Sequence, residues 1–350
     1  MTIQPRTVDD DNTDLPMPTP TIPNRPLTSF KTLSFDIYET LIQWESSIIR
    51  HFSPLLVHLG HDSPYKNAAT DPTARQALSD LFAKHEKNLQ SVWPKTSYTV
   101  ILERAYIETA NEILSDLDSD SDPKMVPSIN PDLPNLEVET RANNFGQSVG
   151  TWPPFPDTLS AMEKLSRYYR LTALSNVDRQ SFSQTLSGPL ADTVSFWRIF
   201  TAQDVGSYKP CHENFKHLFQ NLERTMTIEK DQGGGDDGGD DDDGGDDDDD
   251  GDDDDGDDDD DGDGDEAKGP LCTSASTSRF DNLHVAQSLY HDHVPCKALG
   301  VPSVWINRSG AGTGRADFKS LHEKGRVGYG WRFNTLAEFA DEVDRQHKAL

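Results

Sequence analysis

Cysteine is scarce. Among 350 residues there are three, Cys211, Cys272 and Cys296, at no spacing that suits a metal. An odd, sparse set offers no disulfide framework and fits a reducing compartment. Long apolar runs are missing too. No stretch approaches the roughly 18 residues that a bilayer span requires, and Met1-Thr-Ile-Gln-Pro5 holds no apolar core of a secretory signal. The chain is therefore expected in the cytoplasm, with the nucleus left open. Positive charge is the third shortage: 32 Lys and Arg stand against 61 Asp and Glu, a formal net charge of −29. There is no basic stripe from which nucleic acid could release counterions. Neither nucleic acid nor a membrane is an expected partner, which leaves a small-molecule substrate; the oligomeric state is open.

Most of the acid excess lies in one tract. Residues 233–265 contain only Asp and Gly, 22 and 11 of them, and without those acids the net charge would be −7. A tract that repels itself and has no side chains to pack reads as a disordered, solvated loop. No register in it supplies the Glu that closes a calcium-binding EF-hand loop. Residues 1–27 carry six prolines and almost no apolar periodicity, and they read as a disordered N-terminal tail.

Between these segments the pattern is that of an α/β protein. Thr32-Leu-Ser-Phe-Asp36 is a short apolar run that ends in an acid. Further strands are predicted at 170–175, 197–201, 283–287 and 303–307, with helices at 157–168 (capped by Asp157), 178–186, 210–222 and 293–299. Such alternation implies a doubly wound, Rossmann-like parallel sheet with right-handed crossovers. Apolar residues at helical spacing, such as Ile48, Ile49, Phe52, Leu55 and Leu56, continue in blocks to about residue 120. This block falls between the first strand and the rest. Residues 46–150 are thus expected to form an inserted helical cap, and 28–45 with 151–350 the core.

Four polar clusters follow predicted strands: Asp36-Ile-Tyr-Glu-Thr40, Ser175-Asn-Val-Asp178, Gly206-Ser-Tyr-Lys209-Pro210 and Gln287-Ser-Leu-Tyr-His-Asp292. In open parallel sheets, sites gather at such carboxyl ends. The ordered set resembles the four motifs of the haloacid dehalogenase superfamily. It is similar in particular to the type II L-2-haloacid dehalogenases and fungal dehalogenase-like hydrolases, over about residues 30–345 without the acidic tract. The resemblance implies a hydrolase with Asp36 as nucleophile.

The residues suit that chemistry. A strand-end carboxylate such as Asp36 can attack carbon or phosphorus and form an ester. Lys209 can hold it ionised, Ser175 and Asn176 can donate hydrogen bonds to substrate or nucleophile, and Asp292 can orient Lys209 or position water. Tyr38, Thr40 and Ser288 are expected to line the substrate. In phosphatases of this superfamily a second Asp stands two positions after the nucleophile, to protonate a leaving alcohol. Tyr38 stands there in this chain, and a halide leaves without a proton. The family's last motif also supplies acids to Mg²⁺, whereas this chain has Gln287 at the first of those positions. No metal and no cofactor are therefore expected. The chain departs from the dehalogenases as well: His85 falls where a cap Arg receives halide, Phe215 replaces a Tyr, and Glu39 replaces a Gly beside the pocket. His291 and His293 are expected to be solvent-exposed or packed at a helix start rather than to bind metal. The favoured reading is displacement at an sp³ carbon of a 2-haloacid-like molecule. A Mg²⁺-dependent phosphatase and a non-catalytic protein retaining the core are the alternatives.

Overall fold

The computed structural model describes residues 15–115, 133–191, 193–232, 280–308 and 315–350. The Asp/Gly tract and residues 1–14 lie outside the described residues. Six strands form one all-parallel sheet: β1 (Thr32–Phe35), β2 (Arg170–Ser175), β3 (Arg198–Thr201), β4 (Asn282–Ala286), β5 (Ser303–Ile306) and β6 (Trp331–Phe333), in the order β3-β2-β1-β4-β5-β6. Every residue of β1, β4 and β5 is buried, as expected of strands covered by helices on both faces. The order reverses at β1, and in doubly wound sheets the crevice at that switch point is where ligands bind. Register sets the edge: Phe35 pairs with both Ala173 and Val285. The chain therefore leaves β1, β2 and β4 at one level, bringing Asp36, Ser175 and Gln287 to the same rim.

Between β1 and β2 the chain passes through four longer helices, α1 (Trp44–Leu56), α2 (Pro72–Val92), α3 (Tyr98–Ser115) and α4 (Leu133–Ser148). Sequence explains where α2 begins: Pro72 occupies its first turn and the Asp71 side chain accepts a hydrogen bond from Ala74 N. Leu78, Leu81, Phe82 and Leu89 make its buried stripe. The four helices meet around rings, with Phe52 stacked on Tyr106 at 4.2 Å between centroids and Phe145 edge-on to Phe82 at 5.6 Å. Such aromatic pairs bury large apolar areas in fixed geometry.

The remaining helices are α5 (Thr158–Ser166), α6 (Arg179–Ser187), α7 (Ala202–Val205), α8 (His212–Gln232), α9 (Val294–Leu299), α10 (Arg315–Glu323) and α11 (Leu336–His347). Three details differ from expectation. The edge strand β6 was not predicted, since Trp331–Phe333 is too short to show a period, and neither were α10 and α11, although Leu336, Phe339, Ala340 and Val343 recur at helical spacing. Asp157 does not cap α5. Its carboxylate instead accepts from Leu336 N and Ala337 N at the start of α11, at 2.8 and 3.1 Å. Residues 15–27, read from their prolines as part of a structureless tail, are placed against the core. Thr21 N donates to Gly328 O at 2.7 Å, Asn24 Nδ2 donates to Gly330 O at 2.8 Å, and Leu27 is fully buried. Proline removes donors without preventing docking, and the strap attaches through side chains and the backbone donors that remain, such as Thr21 N.

Candidate active site

The sheet delivers Asp36, Lys209 and Asp292 to one point. Lys209 Nζ donates to Asp36 Oδ1 and to Asp292 Oδ1, 2.8 Å each, and to Leu174 O at 3.0 Å. All three side chains are buried. Burial alone would strip the ammonium of its proton, but two carboxylates within contact distance outweigh it and raise Lys209 above the usual lysine range. Burial acts first on Asp292 as well, yet the Lys209 charge and a hydrogen bond from His284 hold it well below the carboxylate range. Asp36 is pushed up by burial, against the pull of Lys209, with the Asp292 charge adding to the push. One ammonium thus serves two acids, and Asp36 is the one less fully compensated.

Thr40 orients the nucleophile. Its hydroxyl donates to Asp36 Oδ2 at 2.6 Å and accepts from Gln287 N at 2.9 Å, which locks the first motif onto the end of β4. Ser175 is 2% exposed, and its hydroxyl has no protein partner. It lines a cavity of about 490 Å³ together with Asp36, Tyr38, Lys209 and Ser288.

Other expected residues do something else. Asn176, expected to donate to substrate or nucleophile, lines the cavity and also binds the Lys209 backbone: Nδ2 donates to Lys209 O at 3.0 Å and Oδ1 accepts from Lys209 N at 2.6 Å. It holds the lysine in place. Tyr38 lines the cavity with its ring, while its hydroxyl is hydrogen-bonded to Thr185 Oγ1 at 2.8 Å. Since Thr185 already donates to Ser181 O, the phenol is the donor. Ser288 also lines the cavity, and its hydroxyl accepts from His291 N at 3.1 Å, capping the π-helical turn Leu289–His293. Glu39 sits at a positive φ of 70° and turns its carboxylate to the start of α1, accepting from Trp44 N and Glu45 N at 2.9 and 2.8 Å. Burial nonetheless pushes it up to about 8, with Glu45 contributing.

The histidines are not solvent-exposed. His293 is fully buried between Ser303 Oγ and Ala286 O, and His291 borders the cavity; burial drives both down to about 4, so both are neutral. His85 lies between Glu108 and Glu112 at 2.9 Å from each and does not line the cavity. The cations of α2 that do line it are Lys84 and Lys87, with Lys87 Nζ 3.7 Å from the Tyr290 ring centroid. Sequence reasoning pointed to His85, whereas Lys84 and Lys87 of the same helix line the cavity. It also missed Arg308, whose Nε donates to Thr40 O and whose Nη1 donates to Asp157 Oδ1, tying the first motif to the start of α5.

Magnesium, required by the phosphatase reading, would have to share these acids with Lys209. Lys209 already occupies Asp36 Oδ1 and Asp292 Oδ1, and Gln287 offers an amide where a third acid would stand. Among the described residues no group of three or more His, Cys, Asp or Glu is arranged to hold a metal.

The parallel six-stranded sheet in this order is the Rossmann-like architecture of solved haloacid dehalogenases. Two solved L-2-haloacid dehalogenases share it. One is 16% identical and the other 13%, each match covering 90% of this chain and 99% of that chain at a TM-score of 0.50. At those identities the likeness is one of fold. No protein-family model matches the chain, and no curated protein matches it. No helix among the described residues is long and apolar enough to cross a membrane.

Proposed function

We propose that the protein is a hydrolase in which Asp36 displaces a leaving group from an sp³ carbon of a small 2-haloacid-like molecule. The observation that carries this reading is the Lys209 ammonium shared between Asp36 and Asp292 at the floor of the cavity. An Asp36 oxygen attacks the carbon, the carbon–halogen bond breaks, and halide departs with the bonding pair. Water then adds to the Asp36 acyl carbon, the 2-hydroxyacid leaves, and one proton is released as the carboxylate re-forms. Lys209 holds Asp36 ionised before attack and steadies the charge that gathers on its oxygens during ester hydrolysis. Ser175 Oγ, unpartnered and buried, is available to substrate, and Lys87 supplies a cap cation for the substrate carboxylate or the departing halide.

The same reading makes the reaction metal-independent. Lys209 supplies the positive charge, and Tyr38 stands where a phosphatase needs a proton donor. The test is mass spectrometry of the protein after incubation with L-2-bromopropanoate and related haloacids, with and without EDTA. An ester on the peptide containing Asp36, formed equally in EDTA and absent from Asp36→Asn, is the expected result. Turnover that disappears in EDTA and returns with Mg²⁺ would instead establish the phosphatase reading.

A further inference from the structure

Behind the catalytic group runs a file of polar side chains that none of the chemistry above uses. Thr32 and Ser34 of β1 face their register partners Asn282 and His284 of β4. All four are fully buried. Thr32 Oγ1 donates to Asn282 Oδ1 at 2.9 Å, Asn282 Nδ2 donates to Ser34 Oγ at 2.8 Å, and Ser34 Oγ lies 2.9 Å from His284 Nδ1. His284 Nε2 then lies 2.9 Å from Asp292 Oδ1, the oxygen that also accepts from Lys209. A continuous file of hydrogen bonds therefore joins the rear of the sheet to Asp36.

The polarity of this file follows from its ends. Asp292 is held ionised by Lys209, so its Oδ1 can only accept and His284 Nε2 must carry a proton. At the other end the Asn282 amine fills one lone pair of Ser34 Oγ, and the Ser34 proton can point at His284 Nδ1. An imidazole that donates from Nε2 and accepts at Nδ1 is neutral, in a single tautomer. Both donors to Asp292, the ammonium and the imidazole N–H, converge on Oδ1. Its Oδ2 is buried with no protein partner. The arrangement fixes the rotation of the carboxylate, and with it the point at which Lys209 is held.

We propose that His284 is a positioning residue of the active site, kept as the neutral Nε2–H tautomer by Ser34 and Asn282 so that it orients Asp292 and, through it, Lys209. The role rests on the reaction proposed above, whereas the tautomer does not. A hydrogen bond to a charged partner in a buried site affects rates by roughly ten- to a hundredfold when it is removed. His284→Leu should therefore lower the rate of Asp36 ester turnover by about that factor with KM within about twofold. His284→Gln, which keeps a donor toward Asp292, should recover most of the loss.

The experiment has two parts. Nitrogen-15 spectra of the histidine rings in the wild-type full chain at pH 7 should show His284 with Nε2 protonated and Nδ1 bare, assigned by the disappearance of its signals in His284→Gln. An imidazolium, or a proton on Nδ1, would overturn the proposal whether or not any haloacid is turned over. If 2-bromopropanoate reacts, a folded His284→Leu protein with the wild-type rate, or a KM change with kcat unaltered, would overturn the positioning role. If no haloacid reacts with the wild type, the proposed reaction fails and the ring spectrum still decides the tautomer.

Discussion

Replacing Lys209 by Met removes one charge and keeps most of the apolar stem, so it isolates what the ammonium does. In the wild type it neutralises two buried carboxylates at 2.8 Å. Breaking a buried ion pair from one side costs about 3–5 kcal/mol, because the abandoned charge has no water to turn to. Here two acids are abandoned, although Asp292 keeps its bond from His284 and Asp36 its bond from Thr40. A loss of about 3–5 kcal/mol is thus expected at pH 8, a large share of the roughly 5–15 kcal/mol that holds a typical domain together. The pH dependence gives the sharper test. Without Lys209, burial raises both carboxyls above their unfolded values. Groups with raised folded pKa contribute stability that is present at low pH and lost as pH rises through the folded pKa. The gap between wild type and Lys209→Met should therefore narrow as pH falls from 8 to 5, by up to about 1.4 kcal/mol per pH unit for each carboxyl that takes up a proton. Urea denaturation at pH 5, 6.5 and 8 measures this, and Lys209→Met/Asp292→Asn should recover part of the deficit at pH 8. A variant as stable as wild type at pH 8, or a gap independent of pH, would refute the account of one ammonium serving two acids. The same variant should form no detectable ester on Asp36.

Further outcomes are expected elsewhere. Glu39, pushed up to about 8, weakens the fold as pH rises from its unfolded value toward 8. Glu39→Gln should remove that slope and give a higher thermal midpoint than wild type at pH 9, on the order of 1–3 kcal/mol, measured by calorimetry from pH 5 to 9. Tyr38→Phe loses one hydrogen bond to Thr185 and keeps the ring, so stability should fall by about 1 kcal/mol with ester formation unchanged by mass spectrometry. Deleting residues 233–265 should shift the thermal midpoint little, because closure entropy grows slowly with loop length.

The parts of the fold that were legible in sequence are those where a local rule leaves one solution. Apolar strands ending in polar clusters, alternating with helices, specify a parallel sheet, and its rim collects Asp36, Lys209 and Asp292. Side-chain direction was not legible. Asn176 and Ser175 are neighbours with similar chemistry, yet one binds the Lys209 backbone through both ends of its amide and the other keeps an unpartnered hydroxyl. The facing of α2 depends on how it packs against α3, so Lys87 reached the cavity and His85 did not. Short elements such as β6 carry too few residues for a period. The Thr32–Ser34–Asn282–His284 file did leave a signal: strands covered on both faces are almost continuously apolar, and polar residues two apart in two adjacent strands break that rule together.

The strap formed by residues 15–27 has a further consequence. It lies along the chain that leads into β6, the last strand of the sheet. It does so closely: a Cβ at Gly328 would stand 2.5 Å from Thr21 Oγ1, and one at Gly330 2.3 Å from Asn24 Oδ1. Arg332 within β6 reaches Leu15 O at 2.6 Å. An uncovered terminal strand is a template on which other chains can pair. A protein begun at residue 28 would keep every group that handles substrate and yet leave this flank open, so its loss would register as self-association at high concentration rather than as lost chemistry.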